Sequence, residues 1–167
     1  MIDVRTEVRT DVGGIREVHR AAFGRDSEAQ LVDRLRSESL VVVSVVACNG
    51  RDIVGHALFS ELVIETKSVA LPAVTLAPIA VVPNRQRQGN GSRLVLFGLQ
   101  RCREKGKAAA IVLGDPRYYS RFGFEARQTA KLMGPFAGAH WMGLELIAGA
   151  LSHSGTVCYP DAFALVE

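Results

Sequence analysis

The segment 81–95, VVPNRQRQGNGSRLV, constrains this chain more than any other part of it. An apolar run ends at Pro83, a basic loop with Gly89 and Gly91 follows, and a helical pattern begins directly after the loop. This order predicts a strand, a turn and a helix whose first backbone N–H groups have no partner within the helix. Such a helix end carries a partial positive charge and is suited to bind phosphate. The segment therefore predicts an anion site between a strand and a helix.

Glycine alone does not identify a phosphate loop, because tight turns need glycine for conformational reasons. The alternative interpretation of Gly89 and Gly91 is therefore an ordinary turn. Three arginines without any acid between Pro83 and Leu99 favour the anion site; they are Arg85, Arg87 and Arg93. The loop lacks the lysine followed by serine or threonine of P-loop nucleotide hydrolases, and it lacks the three-glycine spacing of dinucleotide sites. Both of these nucleotide motifs are excluded.

Length and composition indicate how many domains to expect. The chain has 167 residues, of which 48% are hydrophobic and 22% charged, so it is long enough for a core of its own. We predict a single domain over residues 1–167. Three widely spaced cysteines within apolar segments indicate reduced core thiols and a cytoplasmic protein. We expect no signal peptide at the start, and no apolar run approaches the roughly eighteen residues of a membrane span.

Hydrophobic periodicity predicts a series of strands and helices. A strand at 2–6 precedes two short helices, with Asp11 and Ser27 as their N-caps. A hairpin turn at Asn49–Gly50 follows. The remaining strands are predicted at 40–48, 53–64, 73–82, 108–113, 124–131 and 141–147, and the segment 156–164 gives competing strand and turn signals. The inward face of the first helix is predicted as Ile15, Val18, Ala21 and Ala22.

Gly98 lies inside the long helix predicted from Gly89 to Glu104. A glycine at such a position costs about 1 kcal/mol relative to alanine. Either close packing requires Gly98, or the helix tolerates it.

Two spaced motifs resemble those of the GNAT superfamily of N-acetyltransferases. The acetyl-CoA signature of that family, Q/R-x-x-G-x-G/A, matches Gln86, Gly89 and Gly91, and its tyrosine four residues before a Gly-Phe pair matches Tyr119 before Gly123–Phe124. One predicted helix and one predicted strand separate the motifs, as in the family. The element order agrees along nearly the whole chain, and LGDPRYYSRFGF resembles one bacterial subgroup of predicted acetyltransferases.

The resemblance implies an α+β fold in α/β/α layers, with a mixed, mostly antiparallel central sheet of about six to seven strands flanked by helices. It also implies an N-acetyltransferase that transfers the acetyl group of acetyl-CoA to a primary amine by direct attack in a ternary complex, without a metal. The alternative is a non-catalytic acyl-CoA-binding or regulatory module. For the N-acetyltransferase, the expected acceptor is a small-molecule or peptide amine. We expect a monomer or homodimer that binds neither membrane nor nucleic acid, since no basic stripe with interleaved aromatics is present.

The resemblance also assigns roles to individual residues. The phenol of Tyr119 would protonate the departing thiolate; the alternative is an amphipathic helix residue with its ring in the core and its hydroxyl in water. The cofactor would bind to the end of the central strand and to the loop, at Ile79, Ala80, Val81, Gln86, Arg87, Gln88, Gly89, Asn90, Gly91 and Ser92.

The general base stays open. Many family members carry a glutamate on the central strand, but residues 74–82 contain no acid. Glu61 and Glu65 on the neighbouring strand are candidates, with solvated strand-end charges as the alternative. His56 has a suitable pKa, although a hydrogen-bonded histidine on the edge of the core is the interpretation we favour. A water chain would also serve. The asparagine frequent after the next strand is replaced by GDP at 114–116, where Asp115 would cap a short helix.

Overall fold

A computed structural model describes residues 1–166 of the chain. By their contacts the residues form two compact units. Unit 1 contains residues 1–60, 77–100 and 161–166; unit 2 contains residues 61–76 and 101–160. The long strands β3, Asp52–Glu65, and β4, Ala70–Val81, contribute residues to both. A single domain over the whole chain stays a prediction.

Unit 1 contains, in chain order, β1 (Ile2–Thr6), α1 (Val12–Phe23), α2 (Ser27–Ser37), β2 (Val41–Asn49), parts of β3 and β4, and most of α3 (Asn90–Glu104), which ends beyond this unit. β1 pairs antiparallel with β2, β2 pairs antiparallel with β3, and β4 follows β3 in the strand order. The Asn49–Gly50 hairpin turn is confirmed, with Gly50 at φ 62°.

The inward face of α1 differs in part from the prediction. Ile15, Val18 and His19 are buried and Ala22 is half-buried, whereas Ala21 is exposed. The buried set follows the spacing i, i+3, i+4, i+7, which defines one helix face. Ala21 lies off that stripe, and the histidine takes a core position that the hydrophobic pattern did not predict.

The two predicted N-caps do not act through their side chains. Asp11 precedes α1, but its carboxylate accepts hydrogen bonds from both terminal nitrogens of Arg5, at 2.7 and 3.0 Å, and from the Val8 N–H at 2.8 Å. Ser27 is already the first residue of α2, and Asp26 takes the N-cap position. A charge-assisted pair outcompetes the helix end for the Asp11 carboxylate.

A chain of polar side chains crosses the core of unit 1. The rings of His19 on α1 and His56 on β3 are hydrogen-bonded, Nε2 to Nδ1, at 2.8 Å, and His56 Nε2 pairs with the Ser44 hydroxyl at 2.8 Å. Both histidines are fully buried. Burial lowers the pKa of His19 to about 4. Burial, and then the charges of His19 and Arg36, hold the pKa of His56 well below its usual range. Both imidazoles are therefore neutral in the folded protein at pH 7.

These histidines predict a loss of stability in acid. Because the folded pKa of His19 lies below its unfolded value near 6.5, its contribution is complete above that pH and falls as the pH drops toward 4. At pH 5 we expect a loss of about 2 kcal/mol from His19 alone. Urea unfolding at pH 7.5 and pH 5 measures it. The variant His19→Gln should flatten this dependence, and His153→Gln, at an exposed position, should not. Equal pH slopes for wild type and His19→Gln would contradict the assignment.

α3 packs closely on β3. A Cβ atom built at Gly98 would lie 2.0 Å from a ring carbon of Phe59, and one at Gly55 would lie 3.0 Å from the Leu94 side chain. Gly98 is therefore required by packing, which decides between the two alternatives that the sequence left open.

Unit 2 contains the other ends of β3 and β4 and the strands β5 (Ala109–Leu113), β6 (Leu132–Met133), β7 (Trp141–Glu145) and β8 (Gly155–Cys158). β3 pairs antiparallel with β8, β4 pairs parallel with β5, β5 pairs antiparallel with β7, and β6 pairs parallel with β8. Trp141 and Ile111 lie in its core, and the Trp141 indole N–H donates to the Tyr159 hydroxyl at 2.8 Å.

The pairing is mostly antiparallel with parallel exceptions, which confirms the α+β fold class. The described residues contain eight strands: six follow one another in the sheet, in line with the predicted six to seven, and the short β6 and β8 pair beside this path. Two other details were wrong. The segment 124–131 is not a strand: Ala126–Thr129 is a 3-10 helix, whose Thr129 hydroxyl lies within 2.9 Å of the Ala126 and Trp141 carbonyls. Cys158 is exposed on β8 and is not a core thiol.

Candidate functional site

The basic loop leaves β4 and enters α3 through an unusual backbone path. A 3-10 turn at Pro83–Arg85 follows the strand, Arg87 has φ 58°, Gly89 has φ 84°, and α3 begins at Asn90. A positive φ is ordinary for glycine and uncommon for arginine. Nothing lies within 4 Å of a Cβ built at Gly89, so backbone conformation and not space favours glycine there.

Three side-chain amides hold the loop in this shape. Each donates to a backbone carbonyl of the same segment: Gln86 to Val81 at 2.8 Å, Gln88 to Asn84 at 3.1 Å and Asn90 to Arg85 at 2.9 Å. Asn90 is only 4% exposed, so its hydrogen bond is shielded from water. The loop is therefore folded by its own residues. Sequence reasoning assigned these three residues to ligand contacts and missed this second role.

The start of α3 presents backbone donors. The Arg93 N–H donates to the Gly89 carbonyl at 3.1 Å, and the amides of Gly91 and Ser92 precede this bond, where a helix has no acceptor one turn back. No acidic residue lies in the first turn of α3. The helix end thus keeps the positive potential that favours an anion.

The loop arginines are not equivalent. Arg87 is exposed and Arg85 half-buried. Arg93 instead donates from Nη1 to the Ile2 carbonyl at 2.7 Å and so ties α3 to β1. The sequence grouped all three as anion ligands, but Arg93 also has a structural contact.

The strand residues before the loop lie next to β3. The Val82 N–H donates to the Val54 carbonyl at 2.9 Å, which fixes the point where the loop leaves the sheet. Ala80 is buried, and Ile79 and Val81 are half-buried. The predicted binding residues Ile79–Val81 and Gln86–Ser92 thus come from one continuous strand, loop and helix within unit 1.

Tyr119 ends a short helix in unit 2. The Asp115 carboxylate accepts from the Arg117 N–H at 2.9 Å and caps this helix, α4, at Pro116–Tyr119, as the sequence predicted. Tyr119 is 9% exposed. Burial, with a smaller effect from Tyr118, raises the pKa of its phenol to about 12. The phenol therefore keeps its proton at neutral pH and can act as a proton donor.

Aromatic side chains surround the Tyr119 ring. Its centroid lies 4.9 Å from that of Tyr118, 6.0 Å from Phe124 and 6.5 Å from Phe122, in edge-to-face arrangements. The ring is thus a core residue of unit 2, in agreement with both interpretations of Tyr119. Its acid role stays a prediction.

Two of the candidate bases are occupied by structural partners. Both oxygens of Glu61 accept hydrogen bonds from Lys107 Nζ, at 3.0 and 2.9 Å. His56 is hydrogen-bonded, as the sequence favoured, but it is fully buried in the core and not on its edge. Glu65 is exposed at the end of β3.

The described part of the chain has no cluster of side chains that could bind a metal ion. Among residues 1–166, no group of three or more His, Cys, Asp or Glu side chains is arranged to hold a metal ion. Over the same residues, no helix has the length and apolar character that crossing a membrane requires.

The chain is similar to proteins of one family. Residues 3–127 match the family model of the acetyltransferase (GNAT) domain. A relative from Escherichia coli K12, the uncharacterized N-acetyltransferase YhbS, is 37% identical over 123 residues, which are 73% of this chain and 72% of that protein.

Two solved structures share the fold over 98% of this chain. One is the GNAT family N-acetyltransferase YhbS from Escherichia coli in complex with CoA, with a TM-score of 0.89, 33% identity and 92% of that chain covered. The other is a GNAT family acetyltransferase from Brucella melitensis in complex with acetyl-CoA, with a TM-score of 0.81, 31% identity and 98% of that chain covered.

Proposed function

Because the chain belongs to the GNAT family of acetyltransferases, we propose that it transfers the acetyl group of acetyl-CoA to a primary amine by direct attack in a ternary complex. The loop between β4 and α3 carries this proposal. It combines free helix-end amides, an acid-free first turn and a shape fixed by its own side chains. The relatives solved with CoA and with acetyl-CoA support the same donor here.

The loop fits the pyrophosphate of acetyl-CoA. The backbone N–H groups from Arg87 to Ser92 would hold the pyrophosphate, and Arg85 and Arg87 would offset further negative charge. Ile79, Ala80 and Val81 would bind the pantetheine arm through their main chain. Because the loop is already folded, binding needs little ordering of the protein.

The transfer itself needs three events. A neutral amine attacks the thioester carbonyl and forms a C–N bond, the negative charge collects on the carbonyl oxygen, and the C–S bond then breaks. A main-chain N–H of β4 near Val81 would stabilise the oxyanion. Tyr119 would give its proton to the departing thiolate and yield CoA–SH. The amine loses its proton to solvent, and the phenol takes up a proton from solvent. This route needs no side-chain base, in agreement with the hydrogen bonds that hold Glu61 and His56 in structural roles.

The alternative function is a non-catalytic acyl-CoA-binding or regulatory module. One observation favours it: β4, Ala70–Val81, carries no acidic residue that could serve as a base. This alternative predicts CoA binding without turnover.

Calorimetry and CoA release separate the two functions. We expect acetyl-CoA to bind and to raise Tm. At an acetyl-CoA concentration of 1,000 times Kd, the free energy of unfolding should increase by about 4 kcal/mol. We also expect CoA to be released with at least one member of a panel of amines, peptides and polyamines. Binding without CoA release across the panel would support the alternative, and no binding of acetyl-CoA would refute both.

Loosening the loop should weaken acetyl-CoA binding. In Asn90→Ala the buried hydrogen bond to the Arg85 carbonyl is lost, so we expect Kd for acetyl-CoA to rise about tenfold, equivalent to about 1.4 kcal/mol. Gln88→Ala removes a more exposed bond and should have a smaller effect. Equal Kd values for Asn90→Ala and wild type would show that this bond does not shape the site.

Three further properties of the protein are proposed with this function: its acceptor, its oligomeric state and its cellular location. The acceptor would be a small-molecule or peptide amine, the protein a monomer or homodimer, and its location the cytoplasm, where acetyl-CoA and reduced thiols coexist.

A further inference from the structure

Gly114 follows β5, and both its N–H and its carbonyl are hydrogen-bonded to His140. The Gly114 N–H donates to the His140 carbonyl at 2.9 Å. The Gly114 carbonyl lies 3.0 Å from His140 Nδ1, and because a carbonyl only accepts, Nδ1 carries the proton. Two hydrogen bonds to one residue fix the backbone of Gly114 in place.

The ring of Tyr119 occupies the space beside this fixed glycine. A Cβ atom built at Gly114 would lie 2.4 Å from Cε2, 3.1 Å from Cδ2 and 3.5 Å from Cζ of Tyr119. A separation of 2.4 Å is far inside van der Waals contact, so any side chain at 114 must move the ring or the backbone. The position accepts only glycine while both stay where they are.

The ring has little freedom to move away. Tyr118 and Phe124 pack against it edge to face. The backbone at Tyr119 is anchored too, since its N–H donates to the Asp115 carbonyl at 3.1 Å in the capped helix α4. Because the backbones of Gly114 and Tyr119 are both held by hydrogen bonds, a methyl group at 114 would have to displace the phenol ring against these neighbours.

We propose that Gly114 and His140 are positioning residues, which set where the phenol of Tyr119 lies. His140 fixes the backbone of Gly114, and the missing side chain of Gly114 leaves the place for the ring. Neither residue needs to touch acetyl-CoA or the amine. The inference rests on the proposed acid role of Tyr119, because positioning the phenol matters to turnover only if the phenol takes part.

The ring position can be tested without knowing the acceptor. The chain has three tyrosines, so ring-labelled tyrosine gives an NMR spectrum that single Tyr→Phe variants assign. In Gly114→Ala we expect the Tyr119 signals to shift and those of Tyr159 to stay. Unchanged Tyr119 signals would overturn the proposal.

Kinetics separate positioning from general loss of structure. With the best amine of the panel, or with water as acceptor if none reacts, Gly114→Ala should lower kcat at least about tenfold, which is about 1.4 kcal/mol in the barrier, and leave KM for acetyl-CoA within about twofold. The double variant Gly114→Ala, Tyr119→Phe should be no slower than Tyr119→Phe alone. Additive losses would overturn the proposal.

His140 and Gly13 provide the controls. His140→Ala should lower kcat in the same way, and His140→Asn, which can still donate to the Gly114 carbonyl, should recover most of it. Gly13→Ala on α1, where nothing lies within 4 Å of the added Cβ, should leave kcat unchanged. If Tyr119→Phe is as active as wild type, the acid role fails. If only Tyr119→Phe is impaired, the acid role stands and the positioning proposal fails.

Discussion

Replacing Tyr119 by phenylalanine should lower kcat by about 10²–10⁴-fold, the contribution of a general acid to such a reaction. The substitution keeps the ring, its edge-to-face neighbours and the cap of α4, and removes only the hydroxyl. Affinity for acetyl-CoA should therefore stay within about twofold of wild type. Initial rates of CoA release, with calorimetry for binding, measure both quantities.

The adjacent tyrosine offers a matched control. Tyr118→Phe removes a hydroxyl one residue away, in a ring that packs against Tyr119, and should leave kcat close to wild type. Burial raises the pKa of Tyr119 to about 12. At every pH below about 10 the phenol therefore keeps its proton, and its ionisation should not reduce the rate. Turnover like that of wild type in Tyr119→Phe at several pH values would remove Tyr119 from the mechanism.

The parts of the site that the sequence predicted are local in the chain. The loop between β4 and α3 was predicted from a proline, two glycines and the helical pattern after them, all of which lie inside the fifteen residues 81–95. The Asp115 cap likewise depends on an aspartate directly before Pro116. Turn and cap preferences act over a few residues, so a single sequence is enough to detect them.

The parts it did not predict depend on contacts distant in sequence. Arg93 was grouped with the anion ligands, but its partner is the Ile2 carbonyl, 91 residues away. The segment 124–131 has apolar and polar residues that allow a strand, but the Thr129 hydroxyl lies close to carbonyls in its own turn and in β7, which stabilises a 3-10 helix. The Arg93 partner is too distant in sequence to be recognised, and in segment 124–131 a tertiary contact overrides a weak local preference.

The effect of a substitution at Gly98 also depends on a contact distant in sequence, with Phe59. Gly98→Ala should lower the free energy of unfolding by about 1–3 kcal/mol, the usual cost of overpacking a core. The new Cβ would lie 2.0, 2.5 and 2.9 Å from three ring carbons of Phe59, which is fully buried and cannot turn away into solvent. Helix propensity alone predicts the opposite sign, a gain of about 1 kcal/mol.

Urea unfolding of a matched pair decides between these two signs. Gly13→Ala also places alanine in a helix, but in open space, so it should stabilise the protein by up to about 1 kcal/mol. Gly98→Leu should destabilise more than Gly98→Ala, because the clash grows with side-chain volume while the propensity gain does not. If both alanine variants were stabilised equally, the Phe59 ring would have to move without cost. The close approach of α3 to β3 would then no longer explain why glycine occupies position 98.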